Sequence, residues 1–240
     1  MAELFDEDLR ALRRDRALRL GPVLFVHERA FDDILERLGE VSRRFSSAVL
    51  IGDADSDKLE EIAERVETAD LDSCNFEPGT FDLCIAIGTL DTVNDLPGAL
   101  RRIGSWLKPD SLLIGAIPGG HTLPQLRGAM RAADIAAGAA SPHVHPRVEA
   151  SALGHLLAAA GFVMPVVDID RVRVAYSSLA QLVADLRGMG VTNILRARSR
   201  SISRTDWAAA EAHFRNAGQD GRTVETFEIL HFAAWTANHG

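Results

Sequence analysis

An open, mostly parallel α/β sheet is the fold class this sequence predicts, and three observations carry the prediction. Short apolar runs at residues 48–51, 81–87 and 111–117 have the composition of strands buried on both faces. Segments with helical spacing of apolar residues separate them, the alternation expected of a parallel sheet with right-handed crossovers. The chain has 240 residues, 47% of them apolar, enough to bury a core without covalent staples. Its two cysteines, Cys74 and Cys84, read as core thiols.

Two helices come first. Leu4, Phe5, Leu9, Leu12 and Leu20 recur at three- and four-residue steps among Arg10, Arg13, Arg14, Arg16 and Arg19. Those arginines read either as a solvated face salted by neighbouring acids or as a docking surface for an acidic partner. Gly21-Pro22 punctuates. A second helix over 27–38 puts Phe31, Ile34, Leu35 and Leu38 on one face and stops at Gly39. The strand at 48–51 ends in Gly52, and Asp55, Ser56 or Asp57 is placed to cap a helix expected over 58–66. After the strand at 81–87, Asp95-Leu96-Pro97 opens a helix reaching to about Leu107, with Asp95 as its cap. The strand at 111–117 leaves through Pro118-Gly119-Gly120 into an Ala-rich helix over 122–137. A Pro/His loop (141–147), a helix (149–160) stopped at Gly161, and two strands (162–170 and 172–176) come next. A helix (177–187), an irregular basic stretch (189–204), a helix (206–216) and a long strand (223–237) complete the chain.

The net charge is −8 and the pI is about 5.5, so the chain as a whole does not attract nucleic acid or anionic lipid. No apolar run approaches the ~20 residues of a membrane helix. Residues 1–9 are acidic and lack the layout of a signal peptide. A soluble cytoplasmic protein is the expectation.

Strand, glycine turn and helix over 48–66 make the place where a doubly wound sheet holds an anionic or nucleotide ligand. Glycine lets the backbone approach, and the helix N-terminus supplies amide donors. Gly52, Asp53 and Ala54 are candidates there. Asp70 stands 18 residues past Gly52, the spacing of an acid that takes ribose hydroxyls. Gly119, Gly120, His121 and Thr122 follow a strand whose carboxyl edge faces ligand. They read as a flexible turn capped by Thr122 or as part of a substrate-side wall, with Arg127 able to pair an anionic group. His143 and His145 lie in a loop bounded by Pro142 and Pro146; two histidines at i, i+2 in a loop seldom converge on a metal, so no metal is expected, and His143 is expected to bond to backbone. Arg196, Arg198, Arg200 and Arg204 read as a solvated loop or as an edge gripping an acidic protein. No nucleophile elbow, phosphate loop or metalloprotease helix is present, and no catalytic residue is singled out.

The order of elements resembles the class I S-adenosylmethionine (SAM) methyltransferase fold, and particular stretches sharpen the resemblance. Leu4-Phe5-Asp6 with Arg13 to Ala17, Thr80-Phe81-Asp82-Leu83, Val93 to Pro97, and Leu107 to Asp110 are among them. So are Gly119-Gly120 through Thr122-Leu123, Ser141-Pro142-His143, Leu153 to Leu157, Ala160-Gly161-Phe162, and Asp168 through Asp170. Asp185 to Gly190 with Asn193 completes the set. They are similar to the mitochondrial complex I assembly factor described as an arginine hydroxylase with a methyltransferase-like domain, and to its alphaproteobacterial relatives. The resemblance spans nearly the whole chain and is most specific at 141–162 and 185–193. It implies a SAM-type site drawing on Gly88 and Leu90 besides the turn residues, a role near the substrate for His143 and Asn193, and a protein partner such as a respiratory-complex subunit.

Departures from that pattern cluster at the first turn. The family ends its first strand in an acid and continues Gly-x-Gly-x-Gly; here the acid position is Leu50 and the glycine positions are Gly52, Ala54 and Ser56. Asp53 and Asp55 add charge where the methionine carboxylate would lie, and like charges near 4 Å repel by about 1 kcal/mol even in water-like surroundings. The family's Leu-His-Trp reads Leu90-Asp91-Thr92. Between Gly52 and Phe81 there is room for one βα unit fewer than the family has. The segment 67–72 is therefore either the second strand, with Asp70 as ribose ligand, or the third, and the match around Phe81 favours the third.

These readings combine into a single methyltransferase-like domain over 1–240, shortened by about one βα unit, with helices in 1–44, a truncated Rossmann-like half in 45–117, and a substrate- or partner-side half in 118–240. The function they suggest is a protein-binding assembly or maturation factor with a decayed SAM site. An active SAM-dependent methyltransferase or related hydroxylase is the alternative. A truncated sheet can also expose an edge that a second subunit covers, which makes a homo-oligomer an expectation.

Overall fold

The computed structural model describes residues 3–52, 54–197 and 200–238. Seven α-helices and six strands are present among them. The strands join in one sheet of order β2-β1-β3-β4-β6-β5, made of β1 (Ala48–Gly52), β2 (Val66–Ala69), β3 (Phe81–Ile87), β4 (Leu107–Pro118), β5 (Phe162–Tyr176) and β6 (Thr223–Thr236). The first four pair in parallel. β6 runs antiparallel to β4, with Ile114 opposite Ala233.

The described residues divide into two compact units, and the division falls within β5 and β6. One holds 25–120, 147–170 and 229–240; the other holds 1–24, 121–146 and 171–228. The first, the sheet unit, has its core where the sequence places it. Residues 48–51 and all of β3 are essentially inaccessible. They are packed with Leu100, Ile103 and Trp106 of α3 (Leu96–Trp106) and Leu153 and Leu157 of α5 (Ala150–Ala159). α2 (Phe25–Glu40) buries Ala30, Phe31, Ile34 and Leu38. The Asp95 carboxylate accepts from the Gly98 amide at 2.9 Å and caps α3 as expected.

Three local expectations are corrected. No α-helix occupies 58–66: a single 3-10 turn, Ser56–Leu59, is followed by a turn and an isolated bridge from Ala63 to Phe45 before β2 begins. The predicted strands 162–170 and 172–176 are one continuous strand, β5. The strand after the first turn pairs with β1, Ala48 opposite Val66, and so takes the second-strand position of a doubly wound order. The outer, third strand is the one without a counterpart, contrary to the alignment favoured from sequence. The connection from β2 to β3 instead folds Leu71 into the core and sets Phe76 edge-on against Phe81 and Trp106, with centroids 4.9 and 5.2 Å apart. The Arg102 guanidinium donates to the Leu71 carbonyl.

The second, helical unit contains α1 (Glu7–Leu20), α4 (Pro124–Ala137), α6 (Leu179–Gly188) and α7 (Arg204–Asn216). α4 and α7 pack closely, with Gly128 leaving room for the His213 ring: a Cβ there would lie 2.7 Å from its Nε2. α1 is capped by Asp6, whose carboxylate accepts from the Leu9 amide at 3.0 Å, and α7 carries a full capping box between Ser203 and Asp206.

In the sheet unit the ion pairs of Arg37 tie α2 to β5 beside a buried histidine of β6. His231 of β6 is 2% exposed, with Nδ1 3.2 Å from an Asp33 oxygen. The same oxygen accepts from Arg37 Nε at 2.9 Å, and Arg37 continues to Asp168 at 2.5 Å. Burial holds the His231 pKa below its ordinary value, against the opposing pull of Asp33. A folded pKa below the unfolded one means that the contribution to stability is complete above about pH 6.5. It is lost as pH falls through the folded value. Melting temperatures followed downward from about pH 7.5 should therefore drop, and the drop should be shallower in His231→Gln; equal pH dependence in the two proteins would refute this assignment.

Candidate functional site

The sheet order reverses between β1 and β3, and ligands of doubly wound sheets bind outside the carboxyl ends of the strands at such a point. In the sheet unit these ends carry Gly52 and Gly88. Gly52 has φ +111°, and a Cβ on it would overlap the Ile87 carbonyl oxygen and lie 3.2 Å from Thr89 Cγ2. Only glycine lets β1 leave the sheet so close to β3. Gly88 has φ +63°, and the imidazole of His27 from the first turn of α2 lies against it: a Cβ there would be 2.8 Å from Nε2.

Beyond Gly52 the turn departs from an anion cradle. Asp53 lies outside the described residues. Ala54 is half-buried. Asp55 accepts the Asp57 amide at 3.1 Å, so the chain's own carboxylate caps the 3-10 turn. Asp70 is exposed at the end of β2 and accepts the Asp72 amide at 3.0 Å, a local Asx turn. Leu90 is 2% exposed and belongs to the hydrophobic core.

The turn after β3 holds a pair that the sequence did not announce. Asp91 accepts from Arg147, whose side chain is 5% exposed; the Arg147 Nε has no partner among the described residues. The nearest sequence cue was the replacement of His by Asp91 after Leu90, but nothing linked it to an arginine 56 residues away. Gly119 bridges Val148 in parallel, and a Cβ on Gly120 would strike the Glu149 carboxylate. Gly120 thus leaves room for the Glu149 side chain.

In the helical unit, the remaining predicted residues are brought into one hydrogen-bonded assembly. Thr122 does not cap α4; Leu123 takes that position at φ +60° with no side-chain cap. The fully buried Glu225 of β6 accepts instead from the Gln125 and Leu126 amides at 3.3 and 2.8 Å, satisfying donors a helix start leaves open. Burial raises the Glu225 pKa, opposed by its backbone donors and by Arg127. Thr122 exchanges two hydrogen bonds with the Glu228 backbone, and the Glu228 carboxylate accepts from His121 N at 3.1 Å and Arg171 Nε at 2.9 Å. The expected flexible turn is thus pinned along β6. Arg127 donates to the carbonyls of Thr122 and His145 and so braces this loop, with its charge acting on Glu225.

His143 bonds to the Asp134 carboxylate of α4 at 2.8 Å, correcting the expectation of a backbone partner. Asn193 donates to the Pro142 carbonyl at 2.7 Å. His145 Nε2 accepts the Ile194 amide at 2.9 Å, and its ring stands edge-on to Phe5. Asp6 N donates to the Ile194 carbonyl and Arg196 N to that of Leu4. The stretches at 4–6, 141–145 and 193–196, far apart in sequence, meet here. Arg196 pairs with Glu3 and Arg200 with Asp206; Arg198 lies outside the described residues. Among the described residues no group of three or more His, Cys, Asp or Glu side chains could hold a metal ion.

Known proteins resemble this chain in sequence and in fold. The profile of the family described as "Methyltransferase domain" matches residues 22–165. The chain is 32% identical to "Arginine-hydroxylase NDUFAF5, mitochondrial" of Danio rerio, over 97% of this chain and 82% of that protein. It is 33% identical to the Mus musculus protein of the same name, over 97% and 77%. It is 30% identical to the malonyl-[acyl-carrier protein] O-methyltransferase of Laribacter hongkongensis, over 72% and 57%. A crystal structure of a proposed methyltransferase from Bacillus halodurans C-125 superposes with a TM-score of 0.53 at 10% identity, covering 86% of this chain and 98% of that one. That likeness concerns the fold alone.

The buried pair makes a direct test. Asp91→Ala strands a buried guanidinium and should cost about 3–5 kcal/mol. The double variant Asp91→Leu/Arg147→Met removes both charges and should recover most of that loss. Denaturant titration of the three proteins decides it; equal destabilisation by the single and double variants would show that the pair is not coupled.

Proposed function

The chain belongs to the methyltransferase-domain family that includes the NDUFAF5 arginine hydroxylases, and from that premise we propose that its SAM site is degenerate and that it works as a protein-binding assembly or maturation factor. The observation that carries this reading is the turn at the end of β1. A SAM site of the usual kind offers the ligand the N-terminus of an α-helix, with open amides and a favourable dipole. Here a four-residue 3-10 turn stands in that place and Asp55 already caps it. Ala54 and Ser56 put side chains at the second and third glycine positions, and Asp55 and Asp57 add negative charge. Asp70 is engaged with its own turn, and the His27 ring lies on Gly88. The residues present do not fit the cofactor in the usual manner.

Two features support a protein partner. The resembling residues Leu4-Phe5-Asp6, Ser141-Pro142-His143 and Asn193 keep a hydrogen-bonded arrangement with their neighbours in the helical unit, although the cofactor turn has drifted. The sheet unit holds 22 of the 34 acidic residues but only 10 of the 26 lysines and arginines. Its net charge of −12, with Asp55, Asp57, Asp70 and Asp72 exposed in the loops after β1 and β2, suits a basic segment of another protein.

A second reading, an active SAM-dependent methyltransferase or related arginine hydroxylase, is favoured by near-complete alignment with proteins named as hydroxylases. Calorimetric titration with S-adenosylhomocysteine separates the two. The degenerate site should give no binding heat and no thermal shift; a ligand present at about 100 times its Kd adds about 2.7 kcal/mol. Micromolar binding would overturn the proposal in favour of the enzyme.

A further inference from the structure

We propose that His27 is a built-in stopper at the reversal point between β1 and β3, and that this side chain, separately from the altered turn, excludes a nucleoside from the sheet's carboxyl edge. The inference deepens the degenerate-site reading and rests on it for the identity of the excluded ligand.

Gly52 ends β1 in register with Ile87, the last residue of β3, and Gly88 follows one residue beyond. Both have positive φ, so both backbones turn away from the sheet side by side. A sheet of this kind opens its ligand crevice between two such turns. The edge of the His27 ring occupies the face of Gly88: Nε2 and Cδ2 lie 2.8 and 2.9 Å from where a Cβ would stand. That is closer than Cβ contacts in proteins come, so a ligand atom placed where that Cβ would stand must first displace the ring.

The stopper is held by the body of α2 and by weaker ties near its start. Phe31, Ile34 and Leu38 are buried and keep the rest of the helix on the sheet unit. Around the first turns the ties are ion pairs at the surface: Arg29 to Asp170 of β5, and Asp32 to Lys58 of the 3-10 turn, each at 2.9 Å. Exposed pairs of this kind contribute little and are screened by salt. Lys58, on the turn that replaces the expected helix, therefore adds only a weak tie to the helix that carries the stopper.

The test measures binding of adenosine and of S-adenosylhomocysteine to the full chain by calorimetry, with equilibrium dialysis for weak binding. The proteins compared are wild type, His27→Ala, His27→Ser, His27→Phe and the turn variant Ala54→Gly/Ser56→Gly. Adenosine lacks the carboxylate that the turn acids repel, so it reports on the crevice alone. His27→Ala and His27→Ser should bind adenosine at least about tenfold more tightly than wild type. His27→Phe, which keeps a ring, should match wild type, as should the turn variant. Affinities of both truncations within about threefold of wild type, in proteins whose melting curves remain cooperative, would overturn the stopper while leaving the degenerate-site reading intact. Micromolar binding of S-adenosylhomocysteine by wild type would overturn that reading instead, and the ratio between truncated and wild-type proteins would still judge His27.

Discussion

The close approach of β1 and β3 at Gly52 governs the carboxyl edge of the sheet unit. Residues 48–51 and 81–87 are apolar almost throughout because both strands lie inside the core, and their parallel register carries Gly52 to the level of Ile87. At that point the backbone of one strand nearly touches the carbonyl of the next, so only a residue without a side chain fits. Gly52 has kept this structural duty, whereas Ala54 and Ser56, further along the turn, carry side chains. A glycine needed for packing and a glycine needed for a ligand look alike in a sequence; at Gly52 the packing requirement is visible in the close approach of the Ile87 carbonyl.

Charge is handled by different means in the two units. In the helical unit the buried carboxylates Glu225 and Glu228 are satisfied by backbone amides and by Arg171. A buried carboxylate is tolerated when donors surround it, and the start of α4 supplies them to Glu225. In the sheet unit Asp91 faces Arg147 in a nearly water-free setting. Such a pair adds little net stability against an apolar replacement, but breaking it is costly. It therefore fixes the turn after β3 to the segment entering α5.

Much of the candidate site was legible as composition and little of it as contact. Gly52, Gly88, Gly119 and Gly120 could be marked because strands end there, and Asp95 because a cap has a short local signature. Leu90 could not be told from a cavity-lining residue, since burial in the core and burial under a ligand select the same side chain. His27 sits in an ordinary helical stretch, and its position over Gly88 depends on how α2 is laid across the sheet unit. Thr122 was a reasonable cap by residue type. The donors of α4 went instead to Glu225, about 100 residues later in the chain, and no local pattern can reveal such a partner.

What the sequence determined by itself is the alternation of buried strands and helices, the helix cap at Asp95, and the shortage of chain between Gly52 and Phe81. These arise from periodicity, local hydrogen bonding and length, which act over a few residues. Only the tertiary structure decided that 58–66 would not be helical, that β2 would take the place beside β1, and that 162–176 would be a single strand. These outcomes depend on how strands pair across the sheet, which a local preference does not specify. The same holds for the Asp91–Arg147 pair and the His145–Ile194 hydrogen bond, because the free energy of a buried polar contact belongs to two residues that the chain brings together only when it folds.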